Sequence, residues 1–418
     1  MKRTVEKIKN KVISNALVVE NYFFMTAIQL INSLFGIAIY PYLIRVLGAD
    51  SYGLYAFALS VTSYFTSFIS FGFNFPGVKA IAQNKNNPEI KRVTVSAILT
   101  AKIYLGLLSI LIFLILTYYV PLMHSNKRLF ALGFIQIIAE IIFPVWYFQG
   151  IQRMKIVTYI QLGFRILSLP FIVIFIHRPG DVWIYMLIGS CTVISGAITA
   201  IIYLIKIEKI GINLLPFKSL IVYYKDALPF FWSSSAGTIK EETVTMIIGS
   251  LFGMRDVAYY DLAKKIIILP RMLTMSINNA IFPKFIENVQ KSTVKKIVRY
   301  ETIIGFAISA FIIFTGYWLV LFLGGIEMLP AYPMSIILSF TILVWLVVGS
   351  YISFIFVPAN KYYFVTRNQL VALLSFLLFC IPGLFIYHHI WTIIIALTLS
   401  GFSEILYCRY LIHKHKML

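Results

Sequence analysis

The sequence predicts an all-α polytopic membrane protein, with twelve transmembrane helices in two six-helix lobes related by pseudo-two-fold symmetry about the membrane normal. Three observations carry this reading. The 418 residues are 60% hydrophobic and only 12% charged, about half the charge of a soluble domain. Mainly apolar stretches of about 20 residues, enough to cross roughly 30 Å of hydrocarbon, recur along the whole chain. Basic residues crowd into every second gap between them.

In order, the spans are expected at 16–39, 52–73, 94–119, 129–148, 157–176, 182–204, 227–251, 257–281, 300–323, 333–356, 368–387 and 390–408. The first follows a basic segment that resembles the start of a signal peptide. No small-residue cleavage site stands out, and Tyr40-Pro41 closes an unusually long run, so it reads as a retained span. The fourth and eighth are the least regular, because they carry a proline or internal charge. The apolar runs are about twice as long as a transmembrane strand needs and lack period-two alternation, which favours helices over a β-barrel.

The gaps give the orientation. Residues 1–15, 74–93, 149–156, 205–226, 282–299, 357–367 and the tail after 408 carry 25 Lys or Arg. The alternate gaps carry five: Arg45, Lys127, Arg128, Arg178 and Arg255. The positive-inside rule puts the rich side, and both termini, in the cytoplasm. The expected organisation is a cytoplasmic segment 1–15, an N-lobe 16–204, a linker 205–226, a C-lobe 227–408 and a tail 409–418. The formal charge of +20 therefore reflects orientation and attraction to anionic membrane lipids rather than nucleic-acid binding. Cys191, Cys380 and Cys408 fall in or near apolar segments and suggest neither a disulfide framework nor a metal cluster.

An internal repeat supports the two lobes. At an offset of 205 residues, Gly48 matches Gly253, Tyr55 matches Tyr260, Ala58 matches Ala263, and the small Gly53 matches Ala258. Both copies open the second helix of a six-span half on the same side, which makes the repeat parallel. Gly48 and Gly253 can take the backbone angles of a tight turn. Ala56, Ala58 and Ala263 permit close helix contact in lipid.

Ionisable residues inside spans are costly unless they face water, a partner or a cavity. The first half holds Glu20, Lys102, Glu140 and Arg165. The second holds Lys240, Glu241, Glu242, Asp261, Lys264, Lys265, Arg271 and Glu404. Helical spacing puts Asp261, Lys264 or Lys265, Arg271 and Asn278 on one broad face of span eight. With Ser233 to Ser235, Thr238 and the Lys240-Glu241-Glu242 run of span seven, they make the most hydrophilic hairpin. A cationic lining suits an anionic substrate, so Lys240, Lys264, Arg271 and Asn278 are substrate-binding candidates, with Lys240 and Arg271 suited to phosphate oxygens. Each could instead serve a structural ion pair. Gln29 and Ser33 share a milder polar face of span one that suits sugar hydroxyls or helix contacts. No enzyme constellation is present: there is no phosphate-binding glycine loop with Lys and Thr, and all six histidines are explained without catalysis or metal.

Tyr40-Pro41-Tyr42-Leu43-Ile44-Arg45-Val46-Leu47-Gly48 with Tyr52-Gly53-Leu54-Tyr55, Phe71-Gly72 with Lys79 and Ala80, and Pro144-Val145-Trp146-Tyr147-Phe148-Gln149-Gly150 together give the chain a family likeness. It resembles the polysaccharide biosynthesis proteins of the Wzx flippase type, in the multidrug/oligosaccharidyl-lipid/polysaccharide exporter superfamily, over almost its whole length. The resemblance implies a non-enzymatic inner-membrane flippase for undecaprenyl-diphosphate-linked oligosaccharides, feeding O-antigen, capsule or exopolysaccharide synthesis. It implies no cofactor, a proton or sodium gradient as driving force, and a polysaccharide polymerase and chain-length regulator as partners. Glu20, Glu241, Glu242 and Asp261 are the ion-coupling candidates. Pro41, Gly48, Gly53, Trp146, Gly150 and Gly253 are expected to shape the fold. Two alternatives stay open: a drug or organic-cation antiporter of the same superfamily, whose cleft carboxylates should dominate, and a non-transporting membrane scaffold, which needs no polar residues inside spans seven and eight.

Overall fold

The computed structural model describes the backbone of residues 2–286, 291–359 and 361–417, and the side chains of 20–21, 23–272, 274, 292–359 and 361–417. The chain is helical along its described length. In order it forms α1 (Lys2–Ser70), α2 (Asn74–Gln83), α3 (Pro88–Tyr119), α4 (Pro121–Ser125), α5 (Lys127–Phe134), α6 (Ile137–Ile142), α7 (Val145–Gly150), α8 (Met154–Phe175), α9 (Val182–Lys206), α10 (Phe217–Leu251), α11 (Met254–Ile286), α12 (Lys291–Gly324), α13 (Ala331–Tyr351), α14 (Tyr362–Ile386) and α15 (Ile390–Lys414).

Among the described residues, nine helical segments are long and apolar enough to cross a membrane, against twelve expected. Local features account for the difference. The first segment, Phe23–Ser70, has 48 residues, about 70 Å of helix at 1.5 Å per residue and twice a hydrocarbon layer. It contains both of the first two expected spans. The gap expected at 40–51 is a kink at Gly48, whose φ of 73° and ψ of 167° lie in a region open essentially to glycine alone. Helices α10 and α11 are long enough to span, with 35 and 33 residues; α10 carries charges along its middle, and the side chains of α11 beyond Thr274 lie outside the described residues. Span four is broken into α5, α6 and α7. Pro144 lacks an N–H and clashes with a continuing helix, and Phe143 before it is extended.

The described chain forms two compact units. The first comprises residues 1–32, 65–176 and 183–231. Helix α3 is its core element, burying Ala97, Ile98, Ala101 and Leu105. Small hydroxyls on α3 receive the segment before α10: the Asn213 N–H donates to Ser96 Oγ at 3.0 Å and the Leu215 N–H to Thr100 Oγ1 at 3.3 Å. These bonds satisfy backbone donors that would be costly to bury unpaired. The expected linker 205–226 is thus docked on α3, and α10 begins at Phe217 rather than 227. Helix α7 lies against α2: a Cβ on Gly77 would stand 2.7 Å from the Trp146 ring, and one on Gly150 would stand 2.8 Å from Ile81. Those two contacts give Trp146 and Gly150 a packing role. The buried Lys102 ammonium donates to the Glu140 carboxylate at 2.8 Å, joining α3 to α6.

The second unit comprises residues 33–64, 177–182 and 232–418. Helix α13 lies at its centre, packed against α11, α12 and α15, and buries Leu338, Ile342, Leu346 and Val347. A π-helical turn, Ile352–Phe356, ends it. Val344, Val348, Phe354, Phe364, Ile405 and Cys408 form a core around that end. Against α11 and the end of α10 lie residues 50–57 of α1. Arg255 meets Asp50 at 2.8 Å. A Cβ on Gly53 would fall 1.7 Å from the Met254 carbonyl oxygen and 3.3 Å from the Ala258 nitrogen, and one on Gly249 would fall 2.3 Å from the Phe57 ring. Backbones approach this closely only over glycine. Gly253 has a φ of 116°, so both glycines of the matched turns sit in backbone regions that other residues avoid.

Gly53→Ala is expected to destabilise the protein by roughly 1–3 kcal/mol, the range for overpacking a close contact. Gly36→Ala in the same helix, with open space around its Cβ, should be neutral or stabilising. Thermal unfolding of both variants in detergent checks this; equal midpoints would contradict the close approach.

Candidate functional site

Within the second unit, the charged residues from 240 to 271 of α10 and α11 include three groups. Glu241 lies ten residues before the end of α10 at Leu251, about 15 Å along the helix. There it faces Arg271 of α11 at 3.6 Å. That separation exceeds a hydrogen bond, and the side chains are 59% and 35% exposed. The Arg271 guanidinium also lies 4.7 Å from the centre of the Trp345 ring on α13, within cation–π range. An arginine held over a ring with its acidic neighbour at arm's length keeps donors available to a planar or tetrahedral anion.

Next to this pair is a tighter cluster. The Tyr52 hydroxyl donates to Asp261 Oδ2 at 2.8 Å and the Lys265 ammonium to the same oxygen at 2.6 Å. Lys265 also stands 5.6 and 5.8 Å from the rings of Tyr40 and Tyr52. Lys264 lies 5.1 Å from the Tyr260 ring and within electrostatic reach of Glu242, which accepts from the Ser63 hydroxyl. Asp261 is thereby compensated from both α1 and α11, whereas Glu242 has a looser set of partners.

Lys240 points elsewhere. Its ammonium contacts Glu404 of α15 at 2.6 Å, with the two side chains only 15% and 8% exposed. The fully buried Asn368 of α14 donates to the other carboxylate oxygen at 3.4 Å. This pair ties three helices together and leaves little of Lys240 for a ligand. Of the remaining expected site residues, Gln29 is exposed on α1 in the first unit, and Glu20 pairs there with Lys155 at 3.7 Å. The side chain of Asn278 lies outside the described residues. Sequence reasoning missed Trp345, Tyr52 and the partners of Lys240. Only Trp345 left a signal: a tryptophan inside a span, away from the interfacial belts where the residue is usual.

The comparisons agree with this architecture. A profile described as "Polysaccharide biosynthesis protein" matches residues 18–289, and the chain belongs to that family. It is 24% identical over 278 residues to a proposed O-antigen transporter of Escherichia coli (strain K12), covering 66% of this chain and 67% of that protein. A proposed O-antigen transporter of Shigella dysenteriae is 24% identical over 390 residues, covering 90% of this chain and 94% of its own. In fold, the chain is similar to an inward-facing multidrug resistance MATE transporter of the MOP superfamily, with a TM-score of 0.70, 14% identity and coverage of 93% and 95%. It is also similar to the lipid II flippase MurJ in an inward closed conformation, with a TM-score of 0.69, 13% identity and coverage of 94% and 87%.

The Lys240–Glu404 geometry predicts a double-mutant result. Lys240→Met or Glu404→Leu alone strands a buried charge and should cost roughly 3–5 kcal/mol, whereas the double variant should fall near wild type. Chemical unfolding in detergent measures the cycle; additive losses would rule out the pairing.

Proposed function

We propose that this member of the polysaccharide biosynthesis protein family is a flippase. It moves an undecaprenyl-diphosphate-linked oligosaccharide from the cytoplasmic to the periplasmic leaflet of the bacterial inner membrane. Such a transporter makes and breaks no covalent bond. Among the described residues, no group of three or more His, Cys, Asp or Glu is placed to hold a metal. The names of the two relatives favour O-antigen units as the glycan, with a polymerase and a chain-length regulator acting downstream.

The observation that carries the reading is the loose Arg271–Glu241 pair over Trp345. In this reading Arg271 takes the diphosphate by charge-assisted hydrogen bonds. Glu241 competes for the same guanidinium, so that release stays feasible. Lys264 adds positive potential from two turns earlier on the same helix, and Asn278 and Gln29 remain candidates for the sugar hydroxyls. Lys240 acts at one remove, by holding α10 to α14 and α15.

The proposed architecture is twelve helices in two six-helix lobes that alternate access about a fixed site. Contacts between positions 205 apart, Asp50 with Arg255 and Gly53 with Ala258, support a local two-fold axis passing between them. A proton or sodium gradient would act through Glu241, Glu242 or Asp261, with Glu20 a further candidate. The exposed Glu241 carboxylate also favours a second reading, efflux of an organic cation.

In proteoliposomes loaded with lipid-linked oligosaccharide, Arg271→Ala should slow translocation at least roughly tenfold, the loss of one or more charge-assisted hydrogen bonds. Arg271→Lys should recover part of the rate. The stability-restored Lys240→Met/Glu404→Leu variant should retain transport. An unchanged rate in Arg271→Ala would remove the anion anchor, and drug efflux without lipid–sugar movement would establish the second reading.

A further inference from the structure

The first unit contains a cavity of about 260 Å³ lined by Glu20, Asn21 and Phe24 of α1 and by Arg153 and Lys155 at the start of α8. It lies apart in sequence and unit from the charged residues of α10 and α11. Its two cations belong to the 149–156 connection, on the basic side of the membrane.

The cavity is held open by a defined contact. Asn21 Oδ1 accepts the Met154 N–H at 3.0 Å, and the Thr158 hydroxyl donates to the Phe24 carbonyl at 3.2 Å. These bonds fix α1 against α8. Beside them, Lys155 is loosely held. Its ammonium is 3.7 Å from Glu20, beyond hydrogen-bond distance, and both side chains are about half exposed. The rings of Phe24 and Tyr159 lie 5.8 and 5.9 Å from the same ammonium. Arg153 directs one nitrogen to Glu208 at 2.6 Å while remaining 56% exposed, so its other donors face outward. Lys85 reaches the same rim by donating to Gln152 at 3.0 Å.

Just beyond the cations the surface turns apolar. Phe23 and Tyr159 are exposed, and further along α8 so are Ile166 and Leu167. A mainly apolar cavity rimmed by cations therefore sits at the end of an apolar helix, where anionic headgroups concentrate on the cytoplasmic leaflet. Aromatic rings at the same level suit the interface.

We propose that this cavity binds a lipid-borne phosphate, the head of an anionic phospholipid. Lys155 and Arg153 take the phosphate oxygens, Asn21 and Met154 shape the floor, and the acyl chains run along α8. Glu20 is the internal competitor: it neutralises Lys155 when the site is empty and weakens the bound lipid when it is full. The inference rests on the bilayer placement of α8 and is independent of the transport reading.

The test counts phosphatidylglycerol retained by the full-length protein in native mass spectrometry, after exchange into mixed phosphatidylglycerol and phosphatidylcholine nanodiscs. Arg153→Gln/Lys155→Gln should lower the affinity of one phosphatidylglycerol roughly thirtyfold, as removal of two surface cations implies. Glu20→Gln, which removes the competitor, should raise it. This opposite sign separates a binding site from a loss of folding. Unchanged retention in both variants overturns the proposal. Displacement of the lipid by millimolar inorganic phosphate would assign the site to a free anion and overturn the lipid assignment. Displacement only by a polyprenyl diphosphate would assign it to the transported substrate and overturn the phospholipid assignment.

Discussion

A charge placed at bilayer depth must find a partner, and the arrangement of this protein follows from how each one does. Lys102 and Glu140 join α3 to α6. Lys240, Glu404 and Asn368 join α10, α15 and α14. Asp261 is met by Lys265 on its own helix and Tyr52 on α1. Breaking either of the two ion pairs between helices strands a charge where water cannot replace the partner. Each therefore fixes which helices are neighbours and at what rotation, a task that apolar packing alone performs poorly when the surrounding solvent is itself apolar.

One pair in the second unit does not behave as a fastener. Arg271 and Glu241 are too far apart for a good hydrogen bond and too exposed to be shut in hydrocarbon. If the pair served to join α10 to α11, a shorter and drier contact would serve better, as Lys240 and Glu404 demonstrate within the same unit. A loose, exposed pair is instead what the proposed anion site would need between binding events. Its cation is neutralised enough to be tolerated in the membrane and free enough to change partners. Trp345 adds to this by steadying the guanidinium through its face without occupying any N–H donor.

The division between legible and illegible features follows the same physics. Hydropathy depends on local composition, so most helices fall where the sequence places them, and the special backbone at Gly48 and Gly253 was marked by the glycines themselves. Gly48 interrupts α1 inside the gap expected between the first two spans. Pro144 signalled irregularity, but not the division into three short helices. For the charges, helical periodicity identifies residues that share a face of one helix, as on α10 and α11. It carries nothing about the facing helix. Glu404 lies 164 residues beyond Lys240, and no spacing rule connects them. Lys240 and Arg271 therefore looked equivalent in sequence, although the fold buries one and leaves the other accessible.

The matched turns show a different economy. Residues 50–57 meet residues 249–261 through a glycine-thin backbone contact, an exposed ion pair and one buried hydrogen bond. Exposed ion pairs contribute only about 0–1 kcal/mol, and dispersion across a close contact is large in sum but falls steeply with separation. The region is thus highly selective in shape while holding few groups that would be costly to expose. Asp261 is the exception, and it keeps Lys265 from its own helix when Tyr52 departs. A carboxylate with one partner on its own helix and another across the contact stays compensated whether that contact is made or broken. A contact with those properties is what the proposed alternating access would require, because it would part and re-form without leaving a charge alone in the membrane.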